Sequence, residues 1–157
     1  LGELGTPFLI HQARYSLLDR WVENGLTGNL DDAGAGLIAF SPLAQGILSD
    51  KYLDRIPEGS RAARPSAYLT GDMVEPYRPV IRQLNKLAAG RQQSLSQMAV
   101  SWLLNKKEVT SVLVGVSSVE QLDDNREALQ NIEFTSNELA EIDKILLTLS
   151  PDKKVND

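Results

Sequence analysis

The sequence predicts a parallel α/β fold, and three observations carry that expectation. Three short apolar runs, Phe8-Leu9-Ile10, Leu37-Ile38-Ala39-Phe40 and Val112-Leu113-Val114, have the continuity of strands buried on both faces. Between and after them lie segments whose apolar residues recur three and four apart, the spacing of an amphipathic helix. Each run is followed by a polar or glycine-rich cluster, and parallel α/β folds bind ligands outside the carboxyl ends of their strands.

The first strand is expected at Phe8-Leu9-Ile10, after Pro7. From Ser16 to about Asp32, Leu17, Leu18, Trp21, Val22 and Leu30 are spaced for helix, with breaks near Gly25 and Gly28. Gly34 and Gly36 end this crossover, and the second strand runs over Leu37-Ile38-Ala39-Phe40 until Pro42 stops it. Residues 43 to about 73 read as one long connection with a turn near Pro57-Glu58-Gly59, and a connection of that length in a compact domain is usually functional. Tyr77, Val80, Ile81, Leu84, Leu87 and Ala88 form the face of the next helix, with Pro76 and Pro79 confined to its opening turns and Gly90 at its end. Ser94-Leu95-Ser96-Gln97 is a capping box for a helix whose core face is Leu95, Met98, Ala99, Trp102 and Leu103. The third strand follows at Val112-Leu113-Val114. Ser118 with Gln121 caps a helix carrying Leu122, Ala128 and Leu129; Thr135 with Glu138 caps a last one carrying Leu139, Ile142, Ile145, Leu146 and Leu149. Residues 151 to 157 read as a polar tail. Three parallel strands alone would leave two bare edges and half-covered faces, so the set calls for further strands beside it. A start at Leu1 rather than methionine reads as a cut end, and residues 1–157 as a single segment.

Composition narrows the function. With 157 residues, 42% hydrophobic and 24% charged, the chain has the make-up of a folded globular protein. A net charge of −5 provides no global field for nucleic acid or anionic lipid, so any phosphate contact must be local. The absence of cysteine excludes disulfides, thiolate catalysis and cysteine-ligated metals, and fits a cytoplasmic location. No apolar run approaches the ~20 residues of a membrane helix, and the carboxylates show no metal-ligand spacing.

The three strand exits are His11-Gln12-Ala13-Arg14-Tyr15, Ser41-Pro42-Leu43-Ala44-Gln45-Gly46 and Gly115-Val116-Ser117-Ser118. Gln12 to Tyr15, the run Phe40 to Gly46 continued by Ile47-Leu48-Ser49-Asp50-Lys51-Tyr52, and the run Gly115 to Ser118 continued by Val119-Glu120-Gln121-Leu122-Asp123-Asp124-Asn125 resemble the last three strand exits of the aldo-keto reductases, in the branch of potassium-channel β subunits and glyceraldehyde-phosphate reductases. The resemblance runs over nearly the whole chain. It implies an eight-stranded (β/α) barrel, of which this chain would supply the C-terminal part, strands six to eight with their helices. It also implies extended NADP(H) binding without a Rossmann motif; no G-x-G-x-x-G is present.

On that resemblance Gln12 hydrogen-bonds the nicotinamide carboxamide, the alternative being a buried glutamine paired with backbone. Phe40 offers its face to the nicotinamide ring or packs in the core. Ser41, Pro42, Leu43, Gln45 and Gly46 wrap the pyrophosphate with backbone amides. Lys51 adds charge near the phosphates and Arg61 lies toward the 2′-phosphate; each could equally be a surface cation. Gly115, Ser117 and Gln121 take the adenosine phosphate at a helix N-terminus, and Asp124 and Asn125 lie near the adenine; Gln121 could instead simply close its helix. Asp124 stands where the family commonly has glutamate, and Ser118 where some relatives have arginine, which bears on the choice between NADPH and NADH.

The family's catalytic Asp, Tyr, Lys and His come from earlier strands, so no catalytic residue is assigned here, and His11 reads as structural. The implied activity is reduction of a small aldehyde or ketone by the intact protein, this chain gripping the cofactor against the N-terminal half of the barrel. Two other readings stay open: a dinucleotide-binding regulatory subunit, or an inactive truncated piece whose bare strand edges drive association into homo-oligomers.

Overall fold

The computed structural model describes residues 5–6, 8–64 and 69–149; the stretches expected as a cut start and a polar tail lie outside them. Three parallel strands form one sheet in the order β1 (Ile10–Arg14), β2 (Gly36–Phe40), β3 (Val109–Leu113). The helices are α1 (Leu26–Asp32), α2 (Gly71–Val74), α3 (Arg78–Gly90), α4 (Leu95–Leu104), α5 (Val119–Glu127) and α6 (Ser136–Leu146). The β-α-β order and the parallel pairing are those the apolar periodicity implied.

Two strands sit elsewhere than their apolar runs suggested. β1 begins at Ile10, while Phe8 and Leu9 are exposed, because pairing with residues 36–40 decides where a strand lies. Most of the cluster read as the first strand exit, His11 to Arg14, therefore lies inside β1, and Tyr15 alone follows it. β3 begins at Val109 and carries Thr110 and Ser111, polar residues that hid it from a search for continuous hydrophobicity. Val109 pairs with Leu37 and Ser111 with Ile38, so Thr110 is the extra residue of a bulge.

One face of the sheet is packed and the other open. Ala13, Leu37, Ala39 and Val109 are buried in the core. Ile10, Gln12, Ser111 and Leu113 are exposed, and Ile38 and Phe40 only half-buried. α4 is the centre of the packed side, with Leu95, Met98, Ala99, Trp102 and Leu103 all nearly inaccessible. Both sides of its capping box are present, as its sequence required. α3 buries Val80, Ile81, Leu84 and Ala88, and α6, opened by the Thr135/Glu138 box, buries Ile142 and Ile145. Arg91 joins these two helices, its Nη1 donating to Glu138 at 2.6 Å and its guanidinium lying 3.6 Å from the Phe134 ring centroid.

Other departures have local causes. The helix expected over residues 16 to 32 is a 3-10 turn at Trp21–Glu23 followed by α1, with Gly25 at φ 106° making the break. Trp21 is 47% exposed rather than core, its indole N–H donating to the Arg14 carbonyl at 2.9 Å. Leu122 and Leu129 are exposed, and of the three apolar residues assigned to that helix only Ala128 is buried.

Candidate functional site

Parallel register places the three strand ends in one row. Arg14 pairs with Phe40, and Phe40 with Leu113, so the carboxyl ends of β1, β2 and β3 lie level. One row back, Gln12 pairs with Ile38 and Ile38 with Ser111. Paired residues of neighbouring strands share a face, so Gln12 and Phe40 stand on the open side, about two residues or ~7 Å apart along the strand direction. Gln12 is exposed on that face of this chain.

The loop after β2 holds an unusual backbone. Ser41, Ala44 and Gln45 adopt φ of 58°, 46° and 60°, followed by Gly46 at 101°. Left-handed non-glycine residues cost roughly 1–2 kcal/mol each and persist where surrounding contacts impose them. Those contacts are present. Ser49 Oγ donates to the Gly46 carbonyl at 2.6 Å, and the buried Ser96 Oγ donates to the Leu48 carbonyl at 3.4 Å. Turn carbonyls already accept from the amides of Ala44, Gly46, Ile47 and Leu48. The N–H of Gly46 donates to the Leu43 carbonyl at 2.8 Å. Pro42 has no N–H to give, so it can only shape the turn.

Tyr52, next to Lys51 in the chain, packs against this loop and bonds Ala62, next to Arg61. The buried Tyr52 ring lies 3.8 Å from where a Cβ on Gly46 would stand, and its hydroxyl accepts from the Ala62 amide at 3.4 Å. The side chains of Lys51 and Arg61 are exposed to solvent.

The third cluster closes on itself. Ser118 Oγ accepts from the Gln121 amide at 3.3 Å, the expected cap of α5. The Gln121 side chain does not complete a box with the Ser118 amide. Its Oε1 accepts from both the Ser117 amide at 3.0 Å and the Ser117 hydroxyl at 3.1 Å. Two donors thus converge on one oxygen ahead of a helix N-terminus, the donor chemistry a phosphate oxygen also satisfies. No protein atom among the described residues lies within 4 Å of a Cβ position on Gly115, so nothing packed there demands glycine. Asn125 is buried at 9% exposure, and Asp124 accepts from Gln97 Nε2 at 2.7 Å.

Tyr15 is not part of this rim. Its ring meets Trp102 edge-on at 5.5 Å, and its hydroxyl donates to Glu23 at 2.6 Å. Burial, then the Glu23 bond and charge, push its phenol well above the ordinary value, so it remains a neutral donor. His11 is half-buried beside Phe8, the ring centroids 6.4 Å apart. Among the described residues no three His, Asp or Glu side chains gather as metal ligands, and no helix is long and apolar enough to cross a membrane. Sequence reading gave no bracing role to Ser49, Ser96 or Gln97, although Ser49 lies in the motif after β2 and Ser96 and Gln97 in the capping box at Ser94.

Fold and rim together define the class. A family model for the aldo/keto reductase family matches residues 2–147, and this chain belongs to that family. It is 49% identical over 149 residues to an L-glyceraldehyde 3-phosphate reductase of Escherichia coli, covering 92% of this chain and 43% of that protein. It is 36% identical over 118 residues to a putative voltage-gated potassium channel subunit beta of Schizosaccharomyces pombe, covering 72% of this chain and 34% of that protein. Among solved structures, the glycerol dehydrogenase of Gluconobacter oxydans superposes with a TM-score of 0.76 at 21% identity, over 95% of this chain and 45% of that one. A holo aldo-keto reductase of Bacillus halodurans gives 0.63 at 23% identity, over 87% and 42%. The chain therefore spans less than half the length of the relatives it matches. Its fold is the C-terminal part of a (β/α)8 barrel.

Proposed function

We propose that the intact protein reduces small aldehydes or ketones with NADPH, and that this chain is its cofactor-gripping part. The observation that carries the reading is the level row Arg14, Phe40 and Leu113, which brings three ligand-type segments to one edge of one sheet face. The residues fit the group. Phe40 supplies a flat apolar surface for the nicotinamide, and Gln12 an amide with both donors and an acceptor for the carboxamide. The loop from Ser41 to Gly46 accommodates the pyrophosphate, with the amides of Leu43 and Gln45 as donors and Lys51 as a nearby cation. Gly115, Ser117 and Gln121 hold the adenosine phosphate once Gln121 turns away from Ser117. Arg61 faces the 2′-phosphate, and Asp124 and Asn125 the adenine.

When bound, the nicotinamide would supply hydride chemistry for a carbonyl carbon; Phe40 and Gln12 would hold and orient its ring, and the proton donor would come from elsewhere in the barrel. The reductase relative suggests L-glyceraldehyde 3-phosphate as the first substrate to try. The test is carbonyl-dependent oxidation of NADPH by the intact protein, with that aldehyde and a broad aldehyde panel. Tight NADPH binding without turnover on any of them would overturn the enzymatic reading in favour of a regulatory dinucleotide-binding subunit, the reading to which the channel-subunit relative points. Failure to bind NADPH at all would overturn both.

A further inference from the structure

The side chain of Gln97 is engaged at both ends. Its Oε1 accepts from the Ser94 amide at 2.9 Å, completing the cap of α4. Its Nε2 donates to Asp124 Oδ1 on α5 at 2.7 Å. A carboxamide is planar, so the bond to Ser94 fixes the direction from which Nε2 meets Asp124. One carboxylate oxygen of Asp124 is held in this way, and its remaining acceptor capacity is presented in a defined orientation. The preceding residue, Ser96, bonds the Leu48 carbonyl in the segment that follows β2. Two consecutive residues in the first turn of α4 therefore touch both segments assigned to the phosphates and adenosine, although those segments lie far apart in sequence.

We propose that Gln97 is a positioning residue for the adenosine end of the dinucleotide, orienting Asp124 and holding α5 in register with the loop after β2. The proposal rests on the dinucleotide reading above. Gln97 touches no ligand itself. Its effect passes through Asp124, so the two residues form one unit, and removing either removes most of what the pair contributes.

The capping and positioning roles separate in one substitution. Glutamate serves a capping box as well as glutamine does, but cannot donate to a carboxylate and repels it. Q97E therefore preserves the α4 cap while breaking the Asp124 bond. The experiment titrates the intact protein and its Q97E, D124A and Q97E/D124A variants with NADPH and with reduced nicotinamide mononucleotide, which lacks adenosine, and records each thermal midpoint. Q97E and D124A should each weaken NADPH by about tenfold, on the order of one hydrogen bond to a charged group. The double variant should be no weaker than D124A, the mononucleotide should be unaffected, and Q97E should keep a single cooperative thermal transition. Independent, multiplying losses would overturn the proposal, as would equal losses on the mononucleotide or a Q97E protein that binds NADPH normally. Should Q97E not fold, Q97M, which removes both bonds, is read against D124A in the same cycle. A wild-type protein that binds no NADPH sinks the underlying reading instead, and the two failures are distinct.

Discussion

The space that a side chain on Gly36 would need is already occupied by Thr110. A Cβ built on Gly36 collides with Thr110 Oγ1, across the strand pair β2–β3. Thr110 is the bulged residue of β3, and the bulge puts Ser111 and Leu113 in register with Ile38 and Phe40. Gly36 is thus required by a neighbour rather than by its own backbone. G36A should destabilise the protein by about 1–3 kcal/mol, the range for overpacking. The T110A change should restore most of the loss, read by denaturant midpoints; a double variant as unstable as G36A would show the collision is not the cause.

The Tyr15–Glu23–Arg20 network should show in the pH dependence of stability. Burial acts to raise the Glu23 carboxyl, but bonds from Arg20 and Tyr15 and the charges of Arg20 and Lys106 outweigh it and hold the group below its ordinary value. A depressed folded pKa contributes stability above the unfolded value of about 4.3 and loses it as pH falls through the folded value. Tyr15 is raised, so its contribution is complete below about pH 10 and fades as pH climbs further. E23Q should flatten the acid limb of the stability curve and Y15F the alkaline limb. Variant curves that merely run parallel to wild type would refute the assignment.

α6 depends on its cap. Thr135 Oγ1 accepts from the Glu138 amide at 3.2 Å, and Glu138 Oε2 accepts from the Thr135 amide at 2.7 Å. T135A should cost about 1 kcal/mol and T135S should recover it. Hydrogen exchange at the first turn of α6 would report the same loss locally, and unchanged protection there would count against the cap.

Phe40 and Arg61 make separable contributions to cofactor binding under the proposed function. F40A should weaken NADPH and NADH alike by about 1 kcal/mol, near fivefold, while F40W retains affinity. R61A should weaken NADPH alone, because only NADPH carries the 2′-phosphate. Equal losses of both nucleotides in R61A would remove Arg61 from that place.

Much of the architecture was legible before any coordinates. The capping boxes at Ser94 and Thr135 and the apolar faces of α3, α4 and α6 are written within single helical turns, where spacing and contact are the same thing. The sequence around Ser41 to Gly46 marked the end of β2 and a turn, but not the left-handed run, which depends on Ser49 and Ser96 holding the turn. Gln121 satisfied its capping spacing, yet its side chain chose Ser117, since the two donors there offer a better site than one amide.

What the sequence determined by itself was the succession of three strands and their helices, the capped starts of α4 and α6, and the family motifs at the strand exits. Each of these depends on residues close together along the chain. Tertiary structure alone decided the bulge at Thr110, the level row from Arg14 through Phe40 to Leu113, and the bond from Gln97 to Asp124. These join residues that chain spacing leaves independent, so only the packing of strand on strand and helix on helix could settle which atoms meet.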